Sequence, residues 1–187
     1  MPELKNMNNE NKTIFTIGHS TLSTCQFIGL LKENNIQLLA DIRAYPGSRK
    51  FPQFNKDNLS RSLRENGIGY VHLPGLGGRR KRPPLSQPTG WKNESFQNYA
   101  AYMQTAEFAE AIAELESLAG AERIAYMCSE AVWWRCHRSL VSDYLKSKGW
   151  KVLHILNGNH LKEHPYTAVA SITNGNLSYP VNETEKG

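Results

Sequence analysis

Cysteine is scarce in this 187-residue chain: Cys25, Cys128 and Cys136 are its three thiols. An odd count this small argues against a disulfide framework, so Cys128 and Cys136 have to be judged on their chemistry. Long apolar runs are also missing. The longest are a few residues, such as Leu38-Leu39-Ala40, against the ~20 a membrane span needs. The polar, Asn-rich stretch 1–12 has no apolar segment of the secretory kind and reads as a disordered tail on a cytoplasmic protein. Neither the P-loop pattern nor the dinucleotide glycine fingerprint occurs, there is no Cys-x-x-Cys, and no repeat or low-complexity stretch is visible. Membrane proteins, common nucleotide-fold signatures and dithiol oxidoreductase motifs are therefore set aside. What is present is ordinary for a folded chain, with 40% apolar and 21% charged residues, and the length predicts one domain with a full core.

Acidic residues are scarce in one region. From Arg43 to Lys92 there are eleven Lys/Arg against two acids (+9), while the rest of the chain has eleven against fifteen (−4). Charge segregated in this way usually faces an anion such as a phosphate, a nucleotide or a nucleic acid backbone, although solvated basic loops look the same.

Short β-branched runs alternate with amphipathic ones. Strands are predicted over 13–17, 36–42, 70–73, 123–128 and 151–156. Helices are predicted after Ser23, over 55–66, over 94–118 with a possible break, and over 136–148, with Gly67 and Gly149 as stops. A long Pro/Gly stretch, 74–90, carries Arg79-Arg80-Lys81-Arg82. Asn174-Gly175 between two short β-prone runs predicts a hairpin, at the sheet edge or as a strap. The predicted architecture is α/β: a mostly parallel five-stranded sheet with helices on both faces, a domain over 13–167 and a hairpin or tail over 168–187.

In such sheets ligands bind outside the carboxyl ends of the strands. The chemically capable residues fall there: Gly18, His19 and Ser20 after the first strand; Asp41 and Arg43 after the second; Gly77, Gly78, Arg79 and Arg80 after the third. Cys128, Glu130, Cys136, His137 and Arg138 follow the fourth, and His154 lies in the fifth. A thiol near the start of the helix after the fourth strand would gain from the helix dipole and from Arg135, His137 and Arg138, which favour thiolate. The loop is similar in form to Cys-based phosphatase and rhodanese loops, but Arg135 stands seven after Cys128, where those loops place it at six. Cys128 also reads as a plain buried sulfur. Zinc on Cys128, Cys136, His137 and His154 is a further option, weakened by the eight-residue Cys spacing. Glu130 reads as a general base or as a partner of Arg43 or Arg138, and Asp41 with Arg43 as an inward ion pair. His19 reads as an acid/base group, a phosphate ligand or a structural histidine. Trp133 and Trp134 look too crowded to be core together, so one of them (Trp134) is a candidate for stacking on a ring.

Several pieces resemble one large prokaryotic family, named as domain of unknown function number 488. They are Thr16-Ile17-Gly18-His19-Ser20, Asp41-Ile42-Arg43-Ala44-Tyr45-Pro46-Gly47-Ser48, Leu76-Gly77-Gly78, Cys128-Ser129-Glu130 with Cys136-His137-Arg138, and His154. The resemblance runs from about residue 13 to 167. It implies a compact α/β domain whose motif residues sit together, and brings no settled activity.

The expectation is a cytoplasmic enzyme acting on a phosphorylated small molecule, nucleotide or nucleic acid, by hydrolysis or group transfer at a phosphate or glycosidic centre. Its acid, base and nucleophile candidates are Cys128, Glu130, Cys136, His137 and His19. Gly18, Ser20, Asp41, Arg43, Gly77, Gly78, Arg79, Arg80, Trp134, Arg138 and His154 would bind substrate. No cofactor and no membrane is expected. The alternatives are a nucleic-acid-binding module without catalysis, which Trp91, Trp133 and Trp134 would serve, and a metal-binding regulatory protein.

Overall fold

The computed structural model describes residues 12–84 and 86–181, so most of the expected N-terminal tail and the last six residues lie outside it. Among the described residues no helix is long and apolar enough to cross a membrane.

The strands are β1 (Thr13–Gly18), β2 (Leu38–Asp41), β3 (Gly69–His72), β4 (Ile124–Cys128), β5 (Lys151–Leu156) and β6 (His160–Glu163). They form one sheet in the order β3-β2-β4-β1-β5-β6, parallel except for β6, which runs antiparallel to β5. β6 adds a sixth strand to the five read from the sequence. Its four residues, His-Leu-Lys-Glu, are all exposed, so no apolar alternation marks it, and charges suit an unpaired edge.

Helices cover both faces. α1 (Thr24–Glu33) and α2 (Lys56–Glu65) bury Phe27, Leu31, Leu59 and Leu63 against Phe15, Ile17, Leu39 and Met127. α3 (Glu94–Tyr102), α4 (Ala106–Ala121) and α5 (Arg138–Ser147) pack on the opposite face, where Tyr99, Phe108, Ile112, Leu140 and Leu145 meet Ile14, Ala40, Tyr126 and Val152. Alternate strand residues thus feed two cores, as the two-residue strand period requires.

Chain direction explains which helices go where. From β1 to β3 the strands advance toward one edge; β4 then turns back to insert between β2 and β1. A right-handed crossover travelling the other way must use the other face. The chain therefore leaves β4 toward α5 on one face, while β1 and β2 on either side leave toward α1 and α2 on the other. This divergence opens a crevice at the carboxyl end of β4.

Local chemistry sets the ends. Ser23 caps α1 in a reciprocal box with Gln26. The expected 94–118 helix breaks, and Thr105 caps α4 through Phe108 N–H. Asn55 sits at the start of α2, but its side chain accepts from Ser48 N–H instead of capping. α5 begins two residues later than expected, because Trp133–Arg135 form a 3-10 turn and Cys136 is extended.

The expected hairpin is present as β7 (Ser171–Thr173) and β8 (Asn176–Ser178). Asn174 and Gly175 both have positive φ, 51° and 75°, as a type I′ turn needs. The hairpin is a separate two-stranded sheet, not an extension of the main one, and Tyr179 just after it is buried in the α5-side core.

Candidate functional site

Gly18 and Cys128 are register partners at the carboxyl ends of β1 and β4. The ladder continues past them, with His19 N–H donating to Cys128 O and Ser20 N–H to Ser129 O. A Cβ on Gly18 would lie 1.8 Å from Glu130 O and 2.9 Å from Arg138 Nη2, so only glycine allows this approach.

A pocket of about 410 Å³ opens above this point. Arg43, Arg79, Arg135, Cys128, Glu130 and His137 line it, together with Ser129, Cys136 and Gly78. Arg79 and Arg135, beside the Asp41-paired Arg43, give its walls a cationic character around two thiols.

The thiols share one environment. Cys128 Sγ, Cys136 Sγ and a ring nitrogen of His137 lie within 4.8 Å of one another. The Cys128 thiol is held well below its ordinary range, first by its hydrogen bond with Cys136 and then by His137 and the positive charge of Arg138, against the opposing effect of burial. Burial, and then the neighbouring Cys128, push the Cys136 thiol well above its ordinary range. Of the two sulfurs, Cys128 is the more acidic and Cys136 the less. The backbone N–H of Arg138, in the first turn of α5, faces Cys136 Sγ at 3.5 Å.

The second wall is built on the α2 side. Asp41, fully buried, accepts from Arg43 Nε, Nη2 and backbone N–H and from Tyr70 O–H. The expected inward ion pair of Asp41 and Arg43 is therefore present, at 2.6 Å. It presents Arg43 to the pocket, and Asp41 itself does not line it. His19 is 2% exposed and stacks on Phe54 at 4.2 Å. Its Nδ1 donates to Ser20 O, so Nε2 carries the lone pair facing Arg43 Nη1 at 3.5 Å. Burial lowers its pKa. With both nitrogens occupied, His19 positions Arg43 and lies below the pocket.

Other expected residues do not converge on the pocket. Arg80 donates to Gly77 O and Pro74 O and lies over the Tyr102 ring, so it anchors the loop on the far side. Arg82 is held by Ser86. The Arg79–Arg82 run is therefore not a single clamp: Arg79 alone of the four lines the pocket. Gly77 packs on the Ala44 backbone, which brings the loop close. Ser20 lends its carbonyl to His19. Trp134 is 51% exposed and outside the pocket lining, while Trp133 is buried. Trp91 packs between Phe96 and Tyr179. Arg138 does not pair with the Glu130 carboxylate; it donates to the Glu130 carbonyl at 2.6 Å.

Arg138 and His154 belong to a buried chain of hydrogen bonds behind the thiols. Arg138 Nη1 donates to Thr16 Oγ1, which faces His154 Nδ1; His154 Nε2 faces His164 Nδ1; and His164 Nε2 donates to Asp143 Oδ1. Asp143 also accepts from Thr167 N–H, Thr167 O–H and Tyr179 O–H. One proton on each ring satisfies every link, and all the donors then point from the guanidinium toward the carboxylate. Two buried charges are thus balanced through a polar chain, without contact. Trp133 lies flat on His154 at 4.4 Å, which explains why it is interior. The sequence singled out Arg138 and His154 of this network by their places near strand ends; Asp143, His164 and Thr167 join it only through the fold.

The pKa of His154 is pushed down to about 2, chiefly by burial, with His164, Arg138 and Lys162 adding to it. Above pH ~6.5 the ring is neutral folded and unfolded alike. Below that, the unfolded chain binds a proton that the folded one refuses, so stability falls with acidification by about 1.4 kcal/mol per pH unit from this group. Urea titrations between pH 7.5 and 5 are expected to show at least that slope, with buried His19 adding to it in the same direction, and His154→Gln to reduce it. An unchanged slope in the variant would mean that other groups carry the acid sensitivity.

One family model, described as domain of unknown function DUF488, matches residues 23–145. The chain belongs to the DUF488 family. No curated protein and no solved structure matches it. The DUF488 match runs from the start of α1 into α5, so it includes Arg43, Gly78, Cys128, Glu130, Cys136, His137 and Arg138. Gly18, His19, Ser20 and His154 lie outside it. The residues that line the pocket are thus all inside the matched region. Tyr45, Phe96 and Tyr99 also line the pocket and were not singled out from the sequence. Tyr45 stands inside the Asp41–Ser48 motif, which was the available signal.

Proposed function

We propose that this protein is an enzyme that holds a phosphorylated small molecule, nucleotide or nucleic acid in the cationic pocket and carries out hydrolysis or group transfer at Cys128. The observation that carries this reading is the Cys128 sulfur, its pKa held down by Cys136 and His137, in a pocket lined by Arg43, Arg79 and Arg135. The arginines take the phosphate charge, Cys128 stands at the reacting centre, and Glu130 at the same wall is the acid/base group. A structureless anion binder has no use for an acid among those cations, whereas a catalyst does. We place the activity in the cytoplasm, with no cofactor assumed by this reading.

Tyr45, 75% exposed on the pocket wall, favours one second reading, a nucleic-acid module that stacks a base there without turnover. Thermal-shift titration with inorganic phosphate, nucleotides and short oligonucleotides tests both. An anion at a hundredfold excess over Kd is expected to add about 2.7 kcal/mol of stability. Arg79→Ala and Arg135→Ala should each weaken that binding by about tenfold. A steep loss of affinity with salt selects nucleic acid, and a shallow one a small phosphate. No stabilisation by any of these ligands would overturn the anion site.

A further inference from the structure

We propose that Cys128, Cys136 and His137 form a three-ligand site for one thiophilic metal ion, zinc foremost, with the fourth coordination position open to the pocket. The sequence offered zinc only with His154 in the set and with an unfavourable Cys spacing. The fold changes both points. His154 is committed to the chain toward Asp143, whereas the turn of Trp133–Arg135 folds residues 129–135 back and brings the two sulfurs together.

The geometry matches a metal in three independent ways. First, zinc–sulfur and zinc–nitrogen bonds of about 2.3 and 2.0–2.1 Å at a tetrahedral angle separate the two donors by roughly 3.6 Å. Cys136 Sγ and His137 Nδ1 are 3.5 Å apart. Second, His137 Nε2 faces the carbonyl of Ile42 at 3.3 Å. A carbonyl can only accept, so the proton sits on Nε2 and the Nδ1 lone pair points at the sulfurs. Fixing a ligand histidine through its other nitrogen is the usual support of a metal site. Third, space is kept on that nitrogen: a Cβ at Gly78 would stand 3.0 Å from His137 Nδ1. The N–H of Arg138 toward Cys136 Sγ is the kind of donor that steadies a ligating sulfur.

The donor set also suits the charge. Two thiolates cancel a divalent ion and Asp41 already balances Arg43, so Arg79 and Arg135 are left to attract an anionic substrate. Two sulfurs and one imidazole with an open position is a set found in catalytic rather than structural zinc sites. With an ion bound, Cys128 is a ligand and the nucleophile at that end of the pocket is water rather than sulfur; the reaction rests on the anion pocket described under Proposed function, and the ligand set does not. A water on the ion passes its proton to the Glu130 carboxylate. The resulting hydroxide forms the new bond to the substrate's electrophilic centre, and the leaving-group oxygen departs with the proton from Glu130.

The test uses the full chain in reducing buffer, stripped of metal and titrated with Co²⁺ alone. One equivalent is expected to give thiolate-to-cobalt charge-transfer absorption, and Zn²⁺ to bleach it. Zn²⁺ should also protect two of the three thiols of the native protein from alkylation, leaving exposed Cys25 to react. Cys136→Ser and His137→Gln should each lose affinity by at least about 100-fold, and Cys25→Ser should bind as the parent does. No charge-transfer band, together with no thiol protection in the unsubstituted chain, would overturn the site even if the variants unfold. No substrate enters these measurements, so their failure leaves the anion-binding result standing, and the reverse holds too.

Discussion

Asp143→Ala is expected to cost about 3–5 kcal/mol of folding stability, a large share of the 5–15 kcal/mol typical of a domain. The carboxylate is fully buried and accepts four hydrogen bonds, from His164, Tyr179 and, twice, Thr167. Removing it strands those donors away from water, which is worse than never having buried them. It also leaves buried Arg138, at the other end of the polar chain, without its balancing charge. For a chain of this size the expected fall in Tm is roughly 6–20 °C. Asp143→Asn keeps acceptor capacity on one oxygen and should lose less. Calorimetry decides: a change below about 1 kcal/mol for Asp143→Ala would mean that the network does not hold the segment from His164 to Tyr179 to α5.

Cys128→Ala is expected to reduce turnover of the phosphorylated substrate found by the ligand screen by at least about 10³-fold, with the fold kept. The sulfur sits at the end of β4, and its removal leaves the backbone pairing with Gly18 untouched. It is also the group on which His137, Arg138 and Cys136 act electrostatically. Glu130→Gln should fall by about 10²–10⁴-fold, the usual contribution of a positioned acid or base. Cys25→Ser, exposed on α1, serves as the control at full rate. Steady-state rates with circular dichroism on each variant give the answer. Cys128→Ala within tenfold of the parent would place the reacting centre elsewhere.

The chain predicts its own layering well. Short runs such as Thr13–Ile17 and Arg123–Cys128 read correctly because a strand buried on both faces is mostly apolar, without alternation. Ser23, Gly67 and the Asn174-Gly175 pair read correctly because caps and turns are local physics. β6 escaped because an exposed four-residue edge carries no period. The start of α5 slipped because a 3-10 turn and an α-helix share their first hydrogen-bonding residues. The site divided in the same way. Cys128, Glu130, Cys136, His137, Arg43 and Arg79 sit near strand ends in sequence and meet in space. Arg80, Trp134 and His154 have the right chemistry and neighbouring positions, yet their side chains leave in other directions.

The amino-acid sequence alone determined the α/β class, the parallel strands and the band of reactive groups at their carboxyl ends, since each follows from local period and spacing. Only the tertiary structure decided which of those groups share a pocket and which hold the frame. It set His19 under Arg43, sent His154 toward Asp143 and brought Cys136 back to Cys128. Those choices depend on strand order and on which face each crossover takes, and contacts between residues far apart in the chain leave no mark in either one's neighbours.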